Sequence, residues 1–183
     1  MDFSFRHDLW WRRLRKSPTD TVRVARLVVR TAGAGEGVRQ TPATIHVVPG
    51  EGVVGDSFAR NPNAPPDAQV SLINVHVIVS LTKGDRERTP LSGDNLHVDL
   101  DLSEENLPVG TRLYAGSAVL EVTAEPHRPC WSFADRFGVL AARRVARANR
   151  MGRRGRGVMC RVVEEGDIAL EDSITVQRPT AVP

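Results

Sequence analysis

Residues 112–123 read RLYAGSAVLEVT. Two short runs, Arg112–Tyr114 and Ala118–Thr123, are joined through Gly116-Ser117, the pattern of two β-strands that turn back on each other. Working outward, the same pattern recurs. Thr21–Arg30 (TVRVARLVVR) is β-branched and partly alternating, and Thr44–Val48 (TIHVV) is a second short strand. Gly50–Asp56 is a glycine-rich turn, and Gln69–Leu81 (QVSLINVHVIVSL) is a long β-branched run. Leu96–Leu102 alternates as LHVDLDL, while Met159–Val163 and Ser173–Gln177 close the series. Strands at short, turn-punctuated intervals predict a mostly-β barrel or sandwich with few helices.

One segment has a different period. Ser132 is placed to cap a helix, with Asp135 at the capping-box spacing. Phe133, Phe137, Leu140, Ala141, Val145, Ala148 and Met151 then fall on one arc of a 3.6-residue helix that stops at Gly152. Arg144 falls inside that arc, so its guanidinium must reach outward or meet an anion.

A chain of 183 residues, 26% charged and 40% hydrophobic, has the composition of one soluble domain with a core of its own. No apolar run approaches the roughly 18 residues that cross a bilayer. The N-terminus lacks the order of a signal peptide, so a cytoplasmic location is expected. Residues 1–20 form an arm in which Phe3, Leu9, Trp10 and Leu14 sit among five cations, followed by a domain over 21–183. The arm reads either as an amphipathic helix on a membrane surface or as a segment packed on the domain. The charge is segregated: nine arginines and no acid lie between Arg136 and Val163, while Asp94–Glu105 holds five acids and no Lys or Arg. No helix-turn-helix or ribonucleoprotein signature accompanies the basic stretch, so nucleic acid is not the expected partner.

Two cysteines are too few for a secreted disulfide scaffold, so each needs its own account. Cys160, in VMCRVV, reads as an ordinary strand residue. Cys130 sits in PHRPCWSF, two residues before the expected cap and close to Arg128 and His127. A helix start and a nearby cation lower a thiol pKa. Cys130 is therefore a candidate nucleophile, sulfur carrier or soft metal ligand, with a small buried side chain as the alternative. His127 and Cys130 have no second pair to complete a structural zinc site.

In order, GEGVVGDSF (50–58), AQVSLI (68–73), SGDNLHVD (92–99), LPVGTRLYAGSAVLEVT (107–123), RPCWSF (128–133) and GRGVMCRVVEEGDIALEDSITV (155–176) resemble the MOSC family. This is the domain shared with the C-terminal part of molybdenum cofactor sulfurases, and the likeness is to its small stand-alone bacterial members. It spans about Val22 to Arg178. The family's Gly-Asp-Arg-His stretch reads Gly55-Asp56-Ser57-Phe58 here, and its Gly-Glu-Asn-Leu motif reads GDNL around Asp94. The resemblance implies a MOSC-type β-barrel whose cysteine faces a pocket for molybdenum cofactor (molybdopterin). Cys130 would be the catalytic residue, as metal ligand or persulfide carrier. Arg128, Arg144 and Arg154 are candidates to grip the anion, with Asp56, Asn95 and His127 shaping the pocket. The implied activities are sulfur transfer or reduction of N-hydroxylated compounds, with a cysteine desulfurase or a redox protein as partner. Pyridoxal phosphate belongs to the separate desulfurase domain and is not expected in this chain. Loss of the arginine and histidine after Asp56 leaves a second expectation, a binding module that keeps the barrel without the chemistry.

Overall fold

Alternation along Thr21–Leu27 (β1) buries Val22, Val24 and Leu27 and leaves Thr21 and Arg23 outside, so one edge of the chain is committed to a curved sheet. In the computed structural model, which describes residues 9–31, 39–61 and 63–180, that sheet closes on itself. The strands that follow are Val29–Arg30 (β2), Arg39–Gln40 (β3), Thr44–Val48 (β4), Gly52–Val53 (β5), Val70–Asn74 (β6) and Leu96–Val98 (β7). Arg112–Ala115 (β8), Ala118–Val122 (β9), Val158–Glu164 (β10), Gly166–Ala169 (β11) and Ser173–Gln177 (β12) complete the set. The barrel runs β1-β12-β8-β9-β10-β6-β7 and back to β1. Every pair is antiparallel except β6 with β7, where Leu72 faces Leu96 in parallel. The β8–β9 hairpin stands as the sequence predicts, with Ala115 opposite Ala118 and Leu113 opposite Leu120. Two small sheets, β11-β4-β5 and β2-β3, flank the barrel; β3 and β11 are too short and too polar to announce themselves in the sequence.

The predicted strand over Gln69–Leu81 is half strand and half helix. β6 ends at Asn74, whose side-chain oxygen accepts from the His76 and Val77 N–H groups and so caps a helix over Val75–Leu81 (α1). Val77, Ile78 and Leu81 face inward from it. The β-branched run thus serves two periods: Val70 and Leu72 fill the barrel, while Ile73 and the α1 residues start a second core outside it. The strand expected to reach Leu102 ends at Val98, yet Leu100 and Leu102 stay buried without a ladder.

The expected helix from Ser132 to Gly152 is also two pieces, Trp131–Phe137 (α2) and Val139–Arg150 (α3). Gly138 separates them at φ +87°, ψ 154°, a conformation that residues with a Cβ essentially do not adopt. Phe133, Ala141 and Val145 press onto α1 and complete the second core. Trp10 joins it, 8% exposed, with its indole N–H donating to the Ser80 hydroxyl at 2.7 Å. The described part of the arm therefore spends its largest apolar side chain on the body and not on a membrane surface; Phe3 lies outside the described residues. Arg144 resolves its conflict with the apolar arc by lying over the Trp10 ring, 5.6 Å from its centroid. Among the described residues no helix is long and apolar enough to cross a membrane.

Candidate functional site

Cys130 is the extended N-cap residue immediately before α2, with φ −85° and ψ 175°. Its carbonyl accepts from the Ala134 N–H at 3.2 Å, so the helix starts two residues earlier than the Ser132 cap would place it. Ser132 then lies in the first turn, and its hydroxyl sits 3.0 Å from the Cys130 sulfur. The thiol is exposed. Partial burial opposes its ionisation, but the Ser132 hydroxyl, the Phe133 N–H and the Arg156 charge outweigh it and hold the pKa below the ordinary thiol value. The charge that acts on it is Arg156, 26 positions away, where the sequence reading looked to Arg128. Cys160 is wholly buried in β10, and burial pushes its thiol up to about 12. One thiol is thus exposed with its pKa lowered, and the other is buried with its pKa raised.

Arg156 is 5% exposed and enters the interior between two glycines. At Gly157 the backbone has φ +104°, and a Cβ would overlap the Leu72 carbonyl oxygen, so only glycine lets this turn lie against β6. Arg156 Nη1 donates to both oxygens of Asp94 at 2.7 Å, and Nη2 donates to the Ser92 carbonyl at 3.2 Å. The same guanidinium lies 4.6 Å from the centroid of the Phe133 ring, at the start of α2. Asp94 is fully buried; burial would raise its pKa, but the Arg156 charge brings it below the usual carboxylate value. His127 Nε2 is 3.4 Å from Asp94 Oδ1. Burial, aided by Arg156, pushes His127 down to about 3, so this contact is one of neutral imidazole with carboxylate. His97, also buried, is pushed down to about 4. Three buried polar atoms here have no hydrogen-bond partner among the described residues: His127 Nδ1, His97 Nε2 and Arg156 Nε. Such groups are costly unless a water or ligand meets them.

Above this network three guanidinium groups converge. A Cβ at Gly93 would lie 3.4 Å from Arg30 Cδ and 3.5 Å from Arg39 Nε. Arg136, on the same short helix as Cys130, donates to the Leu91 carbonyl at 3.3 Å. Burial and the charges of Arg136 and Arg30 hold Arg39 below its ordinary value, the mark of like charges held together. Asp56 answers one of the three. It accepts from Arg30 Nη2 at 2.7 Å, from the Arg30 N–H at 2.8 Å, from Phe58 N–H at 2.9 Å and from Asn95 Nδ2 at 3.2 Å. Asn95 is fully buried, and its oxygen accepts from the Ser71 N–H at 3.1 Å.

The MOSC domain family matches residues 60–175, more than half of the chain. The chain belongs to the MOSC family. Solved structures share this fold at low identity. The YuaD protein from Bacillus subtilis is 20% identical, covers 85% of this chain and 95% of its own, and superposes with a TM-score of 0.63. YiiM from Escherichia coli is 17% identical over 90% of this chain and 73% of its own, with a TM-score of 0.56. YiiM from Geobacillus stearothermophilus is 18% identical over 85% of this chain and 75% of its own, also at 0.56. No curated protein matches the chain.

The candidate site residues read from the sequence do not form one cluster. His127 joins Asp94 and Arg156 below the thiol, while Asp56 and Asn95 bond to each other beside Arg30. Arg128 and Arg154 line a cavity of about 460 Å³ with His127, whose lining does not include Cys130. Arg144 belongs with Trp10. Arg30, Arg39, Arg136, Asp94 and Arg156 were not singled out as site residues. Two of them left usable signals: Arg156, held between Gly155 and Gly157, and Asp94, the acid of GDNL.

Proposed function

We propose that this MOSC protein binds molybdenum cofactor, with Cys130 as the metal's protein ligand or as a persulfide carrier. The observation that supports this most is the exposed, acidified thiol at the start of α2, with the buried Arg156 beneath it and Arg30, Arg39 and Arg136 near by. Among the described residues no three His, Cys, Asp or Glu side chains are grouped to hold a metal, so a metal at Cys130 has to bring ligands of its own. Molybdenum cofactor does so: its pterin carries the metal on sulfur, and its phosphate suits arginine forks. When bound, it would supply the oxo-transfer and redox chemistry. The chain would supply a soft sulfur ligand, a cationic seat for the phosphate, and the Ser132 hydroxyl that steadies the thiolate.

The test is the molybdenum and pterin content of protein purified from a cofactor-proficient host, beside Cys130→Ser. Metal and pterin in the wild type that fall in the variant support ligation. Equal emptiness of both, even after reconstitution with released cofactor, sinks it. Persulfide carriage is read separately, as thiocyanate released by cyanide after incubation with a cysteine desulfurase and cysteine. Reduction of N-hydroxylated compounds with a redox partner is the activity to assay. The alternative, a binding module without chemistry, is favoured by Asp56. In GDSF that carboxylate is taken up by Arg30, Asn95 and the Phe58 N–H, leaving it a scaffold role. Cofactor content without turnover would support this reading.

A further inference from the structure

A second cavity, of about 590 Å³, opens between the arm and the barrel and does not include Cys130. We propose that it is a binding site for a small phosphate ester with a planar body, of about nucleoside diphosphate size, independent of any cofactor at Cys130. Its charge is one-sided. Arg12, Arg15 and Lys16 line it from the arm, and Arg153 and Arg154 line it from the turn after α3; Asp101 is the one acid among the described residues of the lining. Asp101 is already engaged, accepting from the Ser103 N–H at 2.9 Å. Arg12, Arg15 and Lys16 are exposed and make no ion pair with a described residue.

Arg154 carries the second observation. It is held at φ +46°, a left-handed conformation that is unfavourable for a residue with a Cβ. Its guanidinium donates to the Leu107 carbonyl at 2.7 Å, and burial holds its pKa below the ordinary value. The fold therefore spends strain and desolvation to keep a cation here without a bonded carboxylate, and such outliers cluster at ligand sites. The cavity also has an apolar side: Trp11 and Leu14, both partly exposed, line it from the arm, with Val77 and Leu102 buried behind them, and Arg153 lies over the Trp11 ring at 5.5 Å from its centroid. Cations suit phosphate oxygens, and the Trp11 and aliphatic wall suits a flat ring. The volume lies within the ordinary range for small-molecule sites.

Isothermal titration calorimetry of the full chain with ADP, pyrophosphate and adenosine tests this. ADP is expected to bind with a Kd on the order of 100 µM or tighter, pyrophosphate more weakly, and adenosine hardly at all. The double variant Arg15→Glu/Lys16→Glu, both exposed, should weaken ADP at least about tenfold, equivalent to 1.4 kcal/mol. Raising salt from about 0.05 M to about 0.3 M should weaken it as well. Cys130→Ser should leave ADP binding unchanged while emptying the thiol site, which keeps the two readings separable. Absence of ADP binding at about 1 mM, equal binding of ADP and adenosine, or indifference to charge reversal would overturn the site. Loss of ADP binding in Cys130→Ser would also overturn it. Pyrophosphate binding as tightly as ADP would overturn the planar body. Should the double variant fail to unfold cooperatively, Lys16→Ala with the salt series carries the same test.

Discussion

Replacing Arg156 by methionine removes the charge that both Asp94 and Cys130 feel. The Arg156 side chain is 7% exposed and Asp94 not at all, and Nη1 contacts both carboxylate oxygens at 2.7 Å. Removing one partner of a buried pair leaves the other charge uncompensated and costs about 3–5 kcal/mol. The variant has one escape, which is to take up a proton. Without Arg156, burial drives the Asp94 pKa up, and His127, relieved of a like charge, also rises. A folded pKa above the unfolded one adds stability as pH falls. The loss in Arg156→Met should therefore be about 3 kcal/mol or more at pH 8 and smaller at pH 5.5 by at least about 1 kcal/mol. Urea unfolding at the two pH values, with wild type alongside, measures both. The paired variant Asp94→Asn/Arg156→Met should recover most of the loss. A deficit below about 1 kcal/mol at pH 8, or one that grows on acidification, would refute the account of a buried pair that holds the site.

Cys130 should react with a thiol reagent at pH 7 in the native protein, and Ser132→Ala should slow that reaction and raise its apparent pKa; Cys160, pushed up to about 12, should stay unlabelled until the chain unfolds. Reaction of both cysteines at one rate would defeat this. Because His97 and His127 are pushed down to about 4 and about 3 while unfolded histidine titrates near 6.5, the unfolded chain binds protons first on acidification. Stability should fall from about pH 6.5 toward about pH 4, by up to about 1.4 kcal/mol per histidine per pH unit, and a flat urea midpoint across that window would count against it. Gly157→Ala should cost about 2 kcal/mol or more, since it adds a Cβ at φ +104° against the Leu72 carbonyl; a thermal midpoint equal to wild type would show that the turn can move.

What the sequence made legible follows from period and from turn chemistry. The 112–123 hairpin announced itself because strand alternation and Gly116-Ser117 agree. The 69–81 run did not, because buried strand and buried helix draw on the same β-branched residues, and Asn74 decides between them only through its cap. Cys130 stood out because two prolines and a tryptophan are odd company for a core cysteine. Its electrostatic partners stayed hidden. Arg156 and Asp94 are 62 positions apart, and Arg30, Arg39 and Arg136 come from three separate segments. A chain with 23 arginines offers no local mark for the few that turn inward. The helical spacing led instead to Arg144, which the fold places over Trp10.

The order of strands around the barrel also governs when the molecule can form. β12 inserts between β1 and β8, with Thr21 opposite Thr175 and Val176 opposite Leu113, so the first and last strands are neighbours. A nascent chain carries β1 with one edge unpaired from early in its synthesis, and β8 likewise once it is made. Until β12 emerges those edges are open templates for pairing with another chain. Closure waits on pairing between residues as far apart as Thr21 and Thr175, which places the barrel among slow folders.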